Sequence, residues 1–213
     1  MLPSLYPILD VDLCRGRGLD PLAVLDAFLA GGARFLQLRD KSSSSAVRLA
    51  LADTVCARVH AGGGRLIVND RPDIARMCGA DGVHVGQDDM SVEDARRVVG
   101  DQAIVGVSTH DEAQIAAAVQ TSASYLAVGP IYGTATKDTG YSARGLALVR
   151  HAAATAQRPV VAIGGITLER APEVFAAGAA SLAVISDLLR EDPATMVRRF
   201  LTRIEPTARP RVV

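Results

Sequence analysis

Gln37, Arg39 and Lys41 alternate along the stretch "QLRDK". At a period of two, their side chains share one face of an extended chain. Two cations and an amide on one face make an anion clamp with an orienting group. Such a face is costly inside a packed core but suits an open mouth. Further along, Asp70 closes "VND" and Asp89 closes "GQDD". Two carboxylates side by side repel unless a proton or a cation lies between them. Their oxygens suit a hard ion, Mg2+ above all, with water and a substrate phosphate completing its shell. The competing reading is helix capping, by Asp70 ahead of Arg71-Pro72 and by Asp88 or Asp89 ahead of a helix near Ser91.

Two more groups have anion chemistry. In "VGPIYGTATKDTG" the hydroxyls of Thr134 and Thr136 and the ammonium of Lys137 can donate to phosphate oxygens. The small residues Gly129, Gly133 and Ala135 let backbone approach a ligand, and a long loop reaching Gly145 suggests a lid. Gly164-Gly165 and Ser186 stand where exposed N–H groups and helix starts favour a second anion. Ser108 reads as a substrate contact, with Ser108 or Thr109 as a cap. His110 reads as structural rather than as a general base, and His84 as a satisfied core histidine. No Cys–His or Ser–His pair is convincing as a nucleophile. No Glu or Schiff-base Lys is placed in a strand for a sugar-phosphate isomerase or aldolase.

The elements that must hold these residues are short apolar runs: Leu5–Leu9, Phe35–Leu38, Leu66–Val68, Gly82–Val85, Ile104–Val107, Tyr125–Val128, Val160–Ile163 and Leu182–Ile185. They are apolar rather than alternating, as strands buried on both faces are. Between them the spacing predicts helices, among them Pro21–Ala30, Ala46–His60, Ser91–Val99, Asp111–Thr121, Leu146–Ala156, Leu168–Ala177 and Pro193–Ile204. In Pro21–Ala30 the apolar stripe is expected on Leu22, Leu25 and Leu29, with Asp20 as N-cap. Eight strands alternating with helices predict a single-domain (β/α)8 barrel over residues 1–205; an open doubly wound sheet is the alternative. Residues 206–213 read as a frayed or disordered tail. In a barrel, every group above falls at a strand's carboxyl end, where such folds carry their sites. Two anion zones then suggest transfer between two phosphorylated molecules, though one doubly phosphorylated ligand also fits.

Composition narrows the partners. Among 213 residues, 23 Lys and Arg balance 23 Asp and Glu, so no global field draws nucleic acid or an anionic membrane. No apolar run is long enough to span a bilayer, and the start shows no signal peptide. Cys14, Cys56 and Cys78 have neither metal-ligand spacing nor a pairing pattern, which points to reduced thiols and a cytoplasmic setting. The sequence sets no oligomeric state; a homo-oligomer fits it.

The motifs "QLRDK", "VNDRPDIA", "GADGVHVGQDD", "VGVSTH", "GPIYGTATK", "AIGGI" and "VIS" lie in order along nearly the whole chain. Together they resemble the thiamine phosphate synthase family, (β/α)8 barrels that join 4-amino-5-hydroxymethyl-2-methylpyrimidine diphosphate to a thiazole phosphate and release pyrophosphate. The resemblance implies that Gln37, Arg39, Lys41, Asn69, Ser108 and Lys137 contact the pyrimidine diphosphate. It implies that Asp70 and Asp89 hold Mg2+, and that Thr134, Thr136, Gly165, Ile185 and Ser186 contact the thiazole phosphate. Arg39, Lys41 and Lys137 would then carry catalysis by stabilising the departing pyrophosphate. Two departures stand out. Leu9 replaces a common Thr in the first strand, leaving Tyr6 without an assigned role, and Gly133 stands where many members have Pro. The related thiazole tautomerase would need neither "GQDD" nor "TATK". A non-catalytic regulator of the pathway would tolerate losses among the charged strand-end residues, and none is lost.

Overall fold

A computed structural model of the chain describes residues 2–133 and 141–204. The expected tail and the residues Thr134, Thr136 and Lys137 lie outside the described residues. The chain runs β1 (Leu5–Asp10), α1 (Val11–Gly16), α2 (Pro21–Ala30), β2 (Phe35–Arg39), α3 (Ser45–Ala61), β3 (Arg65–Asn69), α4 (Pro72–Met77), β4 (Gly82–Val85) and α5 (Val92–Val99). It continues with β5 (Ile104–Thr109), α6 (Glu112–Val119), β6 (Tyr125–Val128), α7 (Gly145–Thr155), β7 (Val160–Ile163), α8 (Ala171–Ala176), β8 (Ser181–Val184), a 3-10 turn (Ser186–Leu189) and α9 (Pro193–Ile204). The eight strands are parallel and close in sequence order, β1 back onto β8, so the expected barrel is formed and the alternative open sheet is not.

Closure divides the apolar residues into two cores. Outward-facing strand residues such as Leu36, Leu66, Val83 and Leu126 pack under the helices. Inward-facing Tyr6, Ile8, Phe35, Ile67, Tyr125, Ala127, Val161 and Ala183 fill the barrel itself. Tyr6, Phe35 and Tyr125 form its bulkiest layer, with ring centroids 4.5, 6.0 and 6.4 Å apart and tilted or edge-to-face geometry. Gly106 makes room for this layer: a Cβ there would stand 2.1 Å from Cζ of Tyr125.

Helix starts follow local chemistry. Asp20, Ser44, Ser91 and Asp111 each accept an N–H of the first turn. Ser91 and Asp111 therefore supply the caps once open to Asp89, Ser108 or Thr109, and α4 begins after Arg71 without a side-chain cap from Asp70. The buried face of α2 is Val24, Leu25 and Phe28, while Leu22 and Leu29 are only half-buried. An aromatic ring at position 28 contributes more buried area than either flanking leucine, so it fixes which way the helix turns. Burying these three side chains contributes about 1.5–3 kcal/mol each.

Candidate active site

The carboxyl ends of the strands surround two joined cavities. The smaller, about 30 Å³, lies in the barrel mouth and is lined by Gln37, Arg39, Asn69, His84 and Ser108 over a floor that includes Tyr6 and Ala127. The larger, about 460 Å³, lies towards the ends of β7 and β8 and is lined by Gly164, Gly165, Ile185, Ser186, Arg17 and Arg170, among others. Ser108, Ile163, Ala183 and Ile185 line both, so they form a common wall. Of the expected residues, Gln37, Arg39 and Asn69 line only the smaller cavity, Gly165 and Ser186 only the larger, Ser108 and Ile185 both, and Lys41, Asp70 and Asp89 neither.

Arg39 enters the smaller cavity from the end of β2. Its Nη1 donates to Oδ2 of Asp10 at 2.5 Å, with Asp10 buried in the pair. The other oxygen of Asp10 accepts from the Leu13 N–H at 2.9 Å and starts α1. One carboxylate therefore aims the guanidinium and caps a helix. Nε of Arg39 is buried and has no partner among the described residues.

Lys41 lies beyond the end of β2 and is half-exposed, so it does not continue the inward face of Gln37 and Arg39. It forms an ion pair with Oδ2 of Asp70 at the rim. Asp70 takes a left-handed backbone conformation, φ 61°, rare for a residue with a Cβ. Its N–H donates to the His84 carbonyl at 2.7 Å, which ties the end of β3 to β4. Asp89 accepts the Gly86 N–H at 2.7 Å across a turn and lies within hydrogen-bond reach of Asp70. Burial pushes the Asp89 carboxyl above its usual range; the Gly86 N–H opposes this, and the neighbouring Asp70 adds to the rise. Two adjoining hard-oxygen donors under mutual repulsion fit a small divalent cation that keeps most of its ligands as water and phosphate. Among the described residues no group of three or more His, Cys, Asp or Glu could hold a metal.

The wall of the larger cavity is knitted together by backbone. Ile131 N–H donates to the Ile163 carbonyl at 2.9 Å and Tyr132 N–H to the Gly164 carbonyl at 3.0 Å. Gly164 and Gly165 have φ of 98° and 64°, and a Cβ at either would strike Pro130 or Gly133 within 2.6 Å. Arg170 stacks over the Tyr132 ring at 4.4 Å and donates to the Gly165 carbonyl at 2.8 Å. Asp187, largely buried in the cavity lining, accepts from Leu168 N–H at 2.9 Å and from Arg190 at 3.1 Å. His110 accordingly has a bracing part: its Nδ1 meets the Gly129 carbonyl at 2.5 Å and its ring stacks on Tyr141.

Sequence reasoning did not find Asp10, Arg17, Arg170 or Tyr125 as parts of this site, and it singled out Tyr6 without giving it a role. Only Asp10 had a usable signal, an acid ending a strand that starts a helix.

Fold and site define a (β/α)8-barrel enzyme with two adjoining ligand cavities at the carboxyl ends of its strands. The family model described as thiamine monophosphate synthase matches residues 5–188. A thiamine-phosphate synthase of Mycobacterium sp. (strain KMS) is 44% identical over 208 residues, covering 92% of this chain and 90% of its own. One of Chloroflexus aurantiacus is 41% identical over 197 residues, covering the same shares. The solved thiamine phosphate pyrophosphorylase of Pyrococcus furiosus superposes with a TM-score of 0.85 at 28% identity, covering 94% of each chain. The chain belongs to the thiamine monophosphate synthase family.

Proposed function

We propose that the protein is a Mg2+-dependent thiamine phosphate synthase, joining 4-amino-5-hydroxymethyl-2-methylpyrimidine diphosphate to 4-methyl-5-(2-phosphoethyl)thiazole and releasing pyrophosphate. The observation that carries this reading, beside family membership, is the common wall of Ser108, Ile163, Ala183 and Ile185 between two cavities. A pyrimidine held over the barrel mouth and a thiazole phosphate in the larger cavity would both lie against these four residues and so next to each other, and such proximity supplies much of a bimolecular rate.

Gln37 and Asn69 orient the pyrimidine over the aromatic floor. Arg39, aimed by Asp10, donates to the diphosphate, as do Lys41 at the rim and Lys137 from outside the described residues. Asp70 and Asp89 are the residues that would hold Mg2+, which when bound neutralises charge on the leaving pyrophosphate. Gly165, Ile185 and Ser186, with Thr134 and Thr136, hold the thiazole phosphate, and Arg17 and Arg170 supply positive charge beside it. The side chains need only stabilise the departing anion, since the electron-rich aminopyrimidine can carry the cationic methylene that the thiazole nitrogen attacks. The test is to incubate pure protein with both substrates, with and without Mg2+. Thiamine phosphate and pyrophosphate should appear together and only with the metal. No product under any condition refutes the function; full product in EDTA refutes the metal dependence.

A further inference from the structure

A line of hydrogen bonds crosses the barrel floor. Gln37 Nε2 donates to Oη of Tyr6 at 3.0 Å, and Oη of Tyr6 meets Oη of Tyr125 at 3.0 Å. Oη of Tyr125 meets Nδ1 of His84 at 3.0 Å, and Nε2 of His84 meets Oγ of Ser108 at 2.9 Å. All five residues are buried. Burial also holds both phenols well above their ordinary pKa, so each keeps its single proton.

One proton per link makes the line directional. With a neutral imidazole only two arrangements fill every link. In the first, Gln37 gives an N–H to Tyr6, Tyr6 to Tyr125, and Tyr125 to Nδ1; Nε2–H then gives to Ser108, whose own O–H is left for the cavity. In the second, every bond reverses, Ser108 spends its O–H on Nε2, and Gln37 turns its Nε2 towards the cavity. The amide of Gln37 and the hydroxyl of Ser108 are therefore set together, although three residues separate them along the line. The structure has Gln37 in the first arrangement, and no described residue donates to its Oε1.

We propose that Tyr6, Tyr125 and His84 are positioning residues that couple recognition of a phosphate to recognition of the ring. Phosphate oxygens only accept, so a phosphate at Ser108 requires the first arrangement. That arrangement leaves Oε1 of Gln37 as an acceptor, and the 4-amino group is the aminopyrimidine's one N–H donor. An oxo group there would face an acceptor with an acceptor. This inference rests on the proposed function for the identity of its ligand.

The test compares the 4-amino pyrimidine diphosphate with its 4-oxo analogue, by kcat/KM with the thiazole phosphate and by direct calorimetric binding. Wild-type protein should prefer the amino compound by ~100-fold or more, as sites built around a hydrogen bond do. Tyr125→Phe takes the acceptor from Tyr6, whose proton then turns to Gln37 and flips the amide. The preference should fall at least ~10-fold, the worth of one such bond, while the KM for thiazole phosphate stays within about twofold. Tyr6→Phe cuts the neighbouring link and should do the same, which guards against a folding defect in either variant. Preferences unchanged in both folded variants overturn the proposal, as does an equal loss for both analogues. If wild-type protein makes no thiamine phosphate, the proposed function fails, and the calorimetric preference still decides the relay.

Discussion

Asp10 offers the sharpest test of how the site is held. Its side chain is 2% exposed and that of its partner Arg39 14%, with 2.5 Å between Oδ2 and Nη1. Asp10→Asn keeps an oxygen for the Leu13 N–H but sets an amide N–H or a neutral oxygen against a buried guanidinium. Removing one partner of a buried pair typically costs about 3–5 kcal/mol, because the remaining charge is left uncompensated. For a chain of this size each kcal/mol lowers Tm by roughly 2–4 °C, so a fall of roughly 6–20 °C is expected. Asp10→Ala loses the cap as well and should cost about 1 kcal/mol more. Denaturant and thermal unfolding of the three proteins measure both differences. Because Arg39 loses its anchor, KM for the pyrimidine diphosphate should rise while KM for the thiazole phosphate holds. An Asp10→Asn protein within about 1 kcal/mol of wild type, with unchanged kinetics, would refute the idea that this pair is buried, paired and aiming the cation.

The acidic pair should be visible in the pH dependence of stability. Asp89 has a raised pKa, so the folded chain holds that proton more tightly than the unfolded one, and stability falls as pH rises through the window between the two values. Asp89→Asn should therefore raise Tm in metal-free buffer at neutral pH. The gain should vanish in acid below the unfolded carboxylate value of about 3.9; a gain independent of pH would show that the charge on the buried Asp89 is not the cause. The same variant should abolish Mg2+-dependent product formation, measured by pyrophosphate release. Lys137→Ala should mainly lower kcat; an effect confined to KM for the thiazole phosphate would place this lysine in the other cavity.

Much of this architecture was legible because it depends on local pattern. The apolar runs marked all eight strands to within a residue or two, since strands buried on both faces leave no polar interruption. Strand ends then placed Asp70 beside Asp89 without any structure, because adjacent parallel strands bring their carboxyl ends together. What failed depends on direction. The stripe of α2 was right at Leu25 but wrong at its flanks, since Leu22 and Leu29 have the right spacing yet Val24 and Phe28 are buried in their place. Short helices α1 and α4 have too few residues to show a period. The Tyr6–Tyr125–His84 line was invisible for a different reason. Each residue looks like ordinary strand content, and only barrel closure shows that positions 6, 84 and 125 face one another.

Gly106 ties two distant positions in heredity. Any side chain at 106 would enter the ring of residue 125, and any smaller residue at 125 would leave a hole above 106. A lineage can change this pair only together or by passing through a damaged intermediate. Among descendants of this barrel, glycine at the first position and an aromatic hydroxyl at the second should be gained and lost as one character.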